Sequence, residues 1–169
     1  MKTLPVSQAL LRLARIRDGL RMVVTRDYEP RAKDCGTCEV RGACCTDEHF
    51  VNVRVTRLET EAIRRAIESF PAPVRSRVAK RAAKAAEKLG NSGGSFSCPL
   101  YEKESGCLVH KTAKPLPCIH HACYERREDL PPDSLLEEAE KQVVRLNSLV
   151  YGNAWNSDPI PIAITRFVL

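Results

Sequence analysis

The residues best equipped for chemistry are eight cysteines in a chain of 169. They fall in two groups. The first is Cys35-x2-Cys38-x5-Cys44-Cys45 and the second is Cys98-x8-Cys107-x10-Cys118-x4-Cys123. Thiolates are soft ligands that suit zinc and iron–sulfur clusters. Two residues between Cys35 and Cys38 let a loop fold back so that both sulfurs reach one ion at about 2.3 Å. Gly36 eases such a turn, because glycine accepts positive φ. Cys44 and Cys45 are neighbours whose side chains diverge. Such a pair serves two metals, or gives one ligand and one spare thiol, more readily than it closes a disulfide on itself.

Neither group has the regular interval of a zinc finger. The spacing therefore implies that the two halves of the chain meet and share thiolates. Eight sulfurs complete two four-coordinate zinc sites, or hold one four-iron cluster with four cysteines left for a second site or redox work. A Cys-Pro step such as Cys98-Pro99 also closes the bacterial ferredoxin run. Buried thiols acting as small hydrophobes explain one cysteine well, but not this pattern. Disulfides fit poorly with a chain that shows no export signal: arginines interrupt the apolar stretch 10–24, and a cytoplasmic chain keeps its cysteines reduced. His49, His110, His120 and His121 lie close in sequence to cysteines. With eight thiolates present they read as residues around the metal rather than on it, and His110 is the best placed of them to ligate.

The array resembles the YkgJ-like cysteine-cluster family, a zinc- or iron-chelating domain. The family's Cys-x-x-Cys followed by Cys-Cys is matched by Cys35, Cys38, Cys44 and Cys45. Its Cys-Pro-Leu segment is matched by Cys98-Pro99-Leu100, its Gly-Cys by Gly106-Cys107, and its basic-Pro step before two last cysteines by Lys114-Pro115, Cys118 and Cys123. The resemblance covers residues 35–125. Three features depart from it: a longer gap from Cys38 to Cys44, His110 in place of an aromatic, and Lys114 in place of arginine. The resemblance implies a bound metal, often an iron–sulfur cluster, on all eight cysteines.

The elements that must position these residues are mainly helical. Val6, Leu10, Leu13, Ile16, Leu20 and Val24 recur at helical steps and predict a helix over 5–27. Thr56-Arg57-Leu58-Glu59 has the form of a capping box and opens a helix that ends before Pro71. A second, basic helix runs over 74–89, with Gly90 as its stop. Residues 52–55 read as a short extended piece and 91–97 as a Gly/Ser loop. Cys98 to His110 reads as a β-hairpin turning at Glu104-Ser105-Gly106. Pro131-Pro132-Asp133 opens a helix to about Val150, and the tail 155–169 reads as an extended strap. The expected fold is mainly α: one small domain of helices framing cysteine-rich loops and one short hairpin. Residues 1–33 form an N-terminal amphipathic helix, 34–130 the cysteine-cluster domain with a basic helical insertion at 56–90, and 131–169 the completing helix and tail.

The net charge of +6 is uneven. Residues 54–90 carry a net +6 and the cysteine stretch 34–53 a net −3. Lys80, Arg81, Lys84 and Lys88 make a basic helix that reads first as a solvated face. Nucleic acid or an acidic protein is the weaker reading, since a charge run says little alone and base-stacking aromatics are few. No window is long and apolar enough to span a membrane. No phosphate loop, metalloprotease motif or serine nucleophile is present. The function expected is therefore metal binding, with an iron–sulfur cluster in a redox or electron-transfer role ahead of structural zinc or metal handling. The enzymatic version of that reading is an oxidoreductase-like activity, for which no substrate site is identifiable, and the partner is unknown.

Overall fold

A computed structural model of the chain describes residues 4–34, 38–46, 52–90, 96–152 and 157–167. It is mainly α-helical, as the sequence predicts, and divides into two compact units, each built from two separate stretches of chain. Residues 1–41 and 114–155 make the first, and 42–113 with 156–169 the second.

In the first unit, α1 (Val6–Asp27) buries Ala9, Leu13, Arg17, Leu20 and Val24, a line at three- and four-residue steps. It packs against α4 (Leu116–His120) and α5 (Asp133–Tyr151), which buries Ala139, Val143, Leu146 and Asn147. Pro132 precedes the first helical residue of α5, where a missing N–H is harmless. Gly152 ends α5 at φ 75°. The Leu4 N–H donates to the Leu149 carbonyl at 3.0 Å, tying the start of the chain to that end of α5. The helix α4 was not expected. It is one turn long and opens after Pro115, with Pro117 inside it, so too few residues carry a period for the sequence to reveal it.

In the second unit, β1 (Arg54–Val55) leads into α2 (Arg57–Glu68). The expected capping box is formed: the Glu59 N–H donates to Thr56 Oγ1 at 3.3 Å and the Thr56 N–H to Glu59 Oε2 at 2.9 Å. The basic helix α3 spans Ala72–Gly90. The hairpin of β2 (Tyr101–Glu102) and β3 (Gly106–Cys107) pairs Tyr101 with Cys107 and Glu102 with Gly106.

The tail departs from expectation. It is not an extended strap: β4 (Asp158–Pro159) pairs antiparallel with β1, and α6 (Ile160–Phe167) follows at once. Proline is compatible with a helix's first turn, whose N–H groups lack intrahelical partners, so Pro161 starts this helix rather than forbidding it. Thr165 Oγ1 donates to the Pro161 carbonyl at 2.7 Å, and Arg166 pairs with Asp158 at 2.8 Å. α6 buries Ile160, Pro161, Ala163 and Ile164 and packs against both α2 and α3.

Candidate metal centre

The second unit gathers Cys44, Cys45, Cys98 and Cys107, two cysteines from each sequence group. Gly42 begins the gathering. At φ 85° it turns the chain into a 3-10 turn over Ala43–Cys45, and the Cys45 N–H returns to the Gly42 carbonyl at 2.8 Å. Gly42 lies against the Tyr101 ring, where a Cβ would have no room. Glycine is therefore required twice over, by backbone and by packing.

The next links bring in the later cysteines. The Cys98 N–H donates to the Cys45 carbonyl at 2.7 Å, and Thr46 bridges Ser97. The chain then turns through Cys98-Pro99-Leu100, with the Tyr101 N–H on the Cys98 carbonyl at 3.0 Å. The Leu100 N–H donates to the Cys98 sulfur. Because Tyr101 pairs with Cys107 across the hairpin, Cys107 comes back beside this turn.

The electrostatics record the crowding. The Cys45 thiol is held far above its ordinary pKa, first by its hydrogen bond with Cys44, then by burial, then by the charges Cys44, Cys98 and Cys107 would carry. Burial pushes Cys98 up to about 12. The Leu100 N–H and the Arg81 guanidinium act the other way, favouring its thiolate.

Arg81, on α3, braces the turn from the side. Its Nε donates to the Pro99 carbonyl at 3.0 Å and its Nη1 to Glu102 Oε1 at 3.0 Å. Arg77 joins the same carboxylate at 3.0 Å. One position expected to belong to a solvated basic face thus acts otherwise: Arg81 is an anchor of the cysteine loop, and Arg77 joins it on Glu102. In sequence, nothing relates a helix arginine to a glutamate more than twenty residues later. The roles of Gly42 and Tyr101 were equally hidden, the one hint being a glycine two residues ahead of Cys44-Cys45.

The first unit holds Cys38, Cys118 and Cys123; Cys35 lies outside the described residues. Cys38 is exposed and its thiol donates to the Val40 carbonyl at 3.3 Å. Cys118 is half-buried on α4 and Cys123 is exposed. The strand-like stretch leading toward residue 35 runs beside Cys123: the Lys33 N–H donates to the Cys123 carbonyl at 2.7 Å, and Ala32 bridges Tyr124. None of the seven described cysteines is in a disulfide.

Of the histidines, His49 lies outside the described residues. His110 is exposed just beyond the hairpin, its N–H on the Cys107 carbonyl at 3.1 Å. His120 Nε2 is 3.2 Å from the Pro132 carbonyl, a contact that joins α4 to the start of α5. His121 is pushed below its ordinary pKa by burial and by the charges of His120 and Lys114.

Among the described residues, no group of three or more Cys, His, Asp or Glu side chains stands placed to hold a metal ion. The four sulfurs of the second unit are soft donors by type, one of them buried. Ligating thiols must lose their protons, and gathered thiolates repel one another, so such a set would close only together with an ion. No described helix is long and apolar enough to cross a membrane. Compared with known proteins, the chain matches no family model, no curated protein and no solved structure.

Proposed function

We propose that this is a cysteine-cluster metal-binding protein of the YkgJ-like kind, whose thiolates carry an iron–sulfur cluster used in electron transfer or redox chemistry. One observation carries the reading: Cys44, Cys45, Cys98 and Cys107, up to 63 residues apart in sequence, converge on one turn-and-hairpin assembly. Four sulfurs meet the needs of an iron–sulfur cluster. Cys98 would be the buried ligand, with the Leu100 N–H on its sulfur, and hydrogen bonds of that kind tune a cluster's potential. Cys38, Cys118, Cys123 and Cys35 would supply a second thiolate set. The reducing compartment such a protein needs is the cytoplasm.

The same four sulfurs also favour a second reading, a structural zinc site. Four-coordinate sulfur ligation is the common form of such sites, and the metal would order loops that have little regular structure of their own. The protein would then be a binding module, with α3 offering a basic face to an acidic partner or nucleic acid. Metal analysis with a visible spectrum, on protein purified without oxygen, separates the two. Iron, acid-labile sulfide and a visible absorbance that bleaches on reduction support the cluster. A colourless protein with stoichiometric zinc replaces it with the module, and a metal-free chain with ordinary stability overturns both.

A further inference from the structure

A cleft of about 240 Å³ opens in the second unit beside α3, lined by Arg81, Lys84, Ala85, Lys88, Phe96 and Ser97. The four helix residues fall at i, i+3, i+4 and i+7, so they share one face. Ala85 is buried there, and its short side chain leaves room between the three cationic ones. Among the described residues no carboxylate lines the cleft, and Glu87, the one acid of α3, is not part of its wall. Nor does Arg81 arrive neutralised. It shares the single carboxylate of Glu102 with Arg77, at 3.0 Å each, and its Nη2 has no hydrogen-bond partner among the described residues. A cleft lined by one sign of charge concentrates its field and draws in counter-ions.

We propose that this cleft binds a small phosphate-bearing ligand, inorganic phosphate or a phosphate monoester. The site stands on the cleft alone and does not depend on a bound metal. Charge sets the ligand class. A phosphate monoester brings a charge of about −1.5 to −2 at pH 7 and three strong acceptor oxygens. A carboxylate brings a single charge and two oxygens. Three cations and the Ser97 hydroxyl match the first better than the second. Arg81 is the fixed part of the site: its Nε is held by the Pro99 carbonyl and its Nη1 by Glu102, so little order is lost there on binding. Lys84 and Lys88 carry point charges on flexible stems that can close on an anion. Size sets the limit. Pockets that enclose drug-sized ligands run to about 300–1,000 Å³, and this smaller cleft suits a phosphate group with a short organic part. Phe96, itself buried, offers that part an apolar wall.

The test is a calorimetric titration of the full-length chain with inorganic phosphate, phenyl phosphate and acetate. Ionic strength is held constant, so that general screening does not imitate binding. Saturable binding of both phosphates is expected, with acetate much weaker. Lys84→Gln and Lys88→Gln should each weaken phosphate binding about tenfold, the scale of one charge-assisted hydrogen bond. Lys80→Gln removes the same charge from an exposed position of the same helix that does not line the cleft, and should stay within about twofold of the parent. An equal loss in Lys80→Gln overturns the proposal, because the helix's general charge would then be the binder. So does the absence of saturable binding, or acetate binding as tightly as phosphate. A short oligonucleotide without terminal phosphates that displaces phosphate and binds more tightly would assign this face to nucleic acid and overturn the proposal too. None of the variants alters a cysteine, so failure here leaves the metal-binding reading standing, and failure of that reading leaves this site to be judged by its own titration.

Discussion

At Gly42 and Gly106 the backbone takes positive φ, 85° and 72°, yet the two positions differ in what surrounds them. A side chain at residue 106 meets nothing within 4 Å, whereas one at 42 runs into the Tyr101 ring. Gly106→Ala should cost only the left-handed conformation, about 1–2 kcal/mol. Gly42→Ala adds a clash at the turn that carries Cys44 and Cys45. Urea unfolding should therefore show the larger loss at 42, and metal uptake should suffer there and not at 106. Cys98 makes a second residue-level prediction. Its thiol is raised from 9.0 to about 12 by burial. A raised pKa means that the folded state holds the proton longer than the unfolded chain does. Its contribution to stability is whole below about pH 9 and is lost as pH rises toward about 12. The metal-free chain should weaken across that alkaline window in a pH series of thermal melts. Cys98→Ala should flatten the trend.

Among the elements, α2 and α6 show why some of the fold was legible and some was not. The Thr56/Glu59 capping box depends on residues three apart, so the sequence alone displays it. Thr56→Ala should cost about 1 kcal/mol in chemical denaturation. The helix α6 depends instead on what covers it. Eight residues, with Pro159 just before them and Pro161 in their first turn, lack the length to declare a period, and burial against α2 and α3 makes the segment helical. Isolated helices so short are marginal in water. Ile164, fully buried, is the measure of that dependence: Ile164→Ala should cost about 2–5 kcal/mol, read from the shift in urea midpoint. The hairpin over Tyr101–Cys107 was legible for the opposite reason. Its turn, Lys103-Glu104-Ser105, leads straight into Gly106, and turns of that kind are written locally.

For the molecule as a whole, the sequence displayed which residues were candidate ligands but not how they divide. The boundary between the two compact units falls between Arg41 and Gly42, inside the first cysteine group. Cys38 and Cys44 look like members of one motif, yet they belong to different units. No spacing rule contains that information, because it is set by which distant segment each stretch packs on: Lys33 beside Cys123, and Cys45 beside Cys98. The division predicts unequal effects of one substitution. Cys107→Ser should abolish metal protection of Cys44 and Cys45 from alkylation. Cys38→Ser should leave that protection intact, with both outcomes read residue by residue in mass spectrometry. Loss of protection in both variants would show one shared centre.

Each unit is also completed by a stretch that follows the other in the chain: α5 of the first comes after all of 42–113, and α6 of the second comes after α5. A ribosome making this protein therefore exposes every cysteine before either core can close. The nascent chain passes through a period in which all its thiols are accessible and few are yet shielded. Both units wait for chain made after the last cysteine, so maturation is a late event. An N-terminal reporter of folding should stay silent until residues beyond 150 have left the exit tunnel.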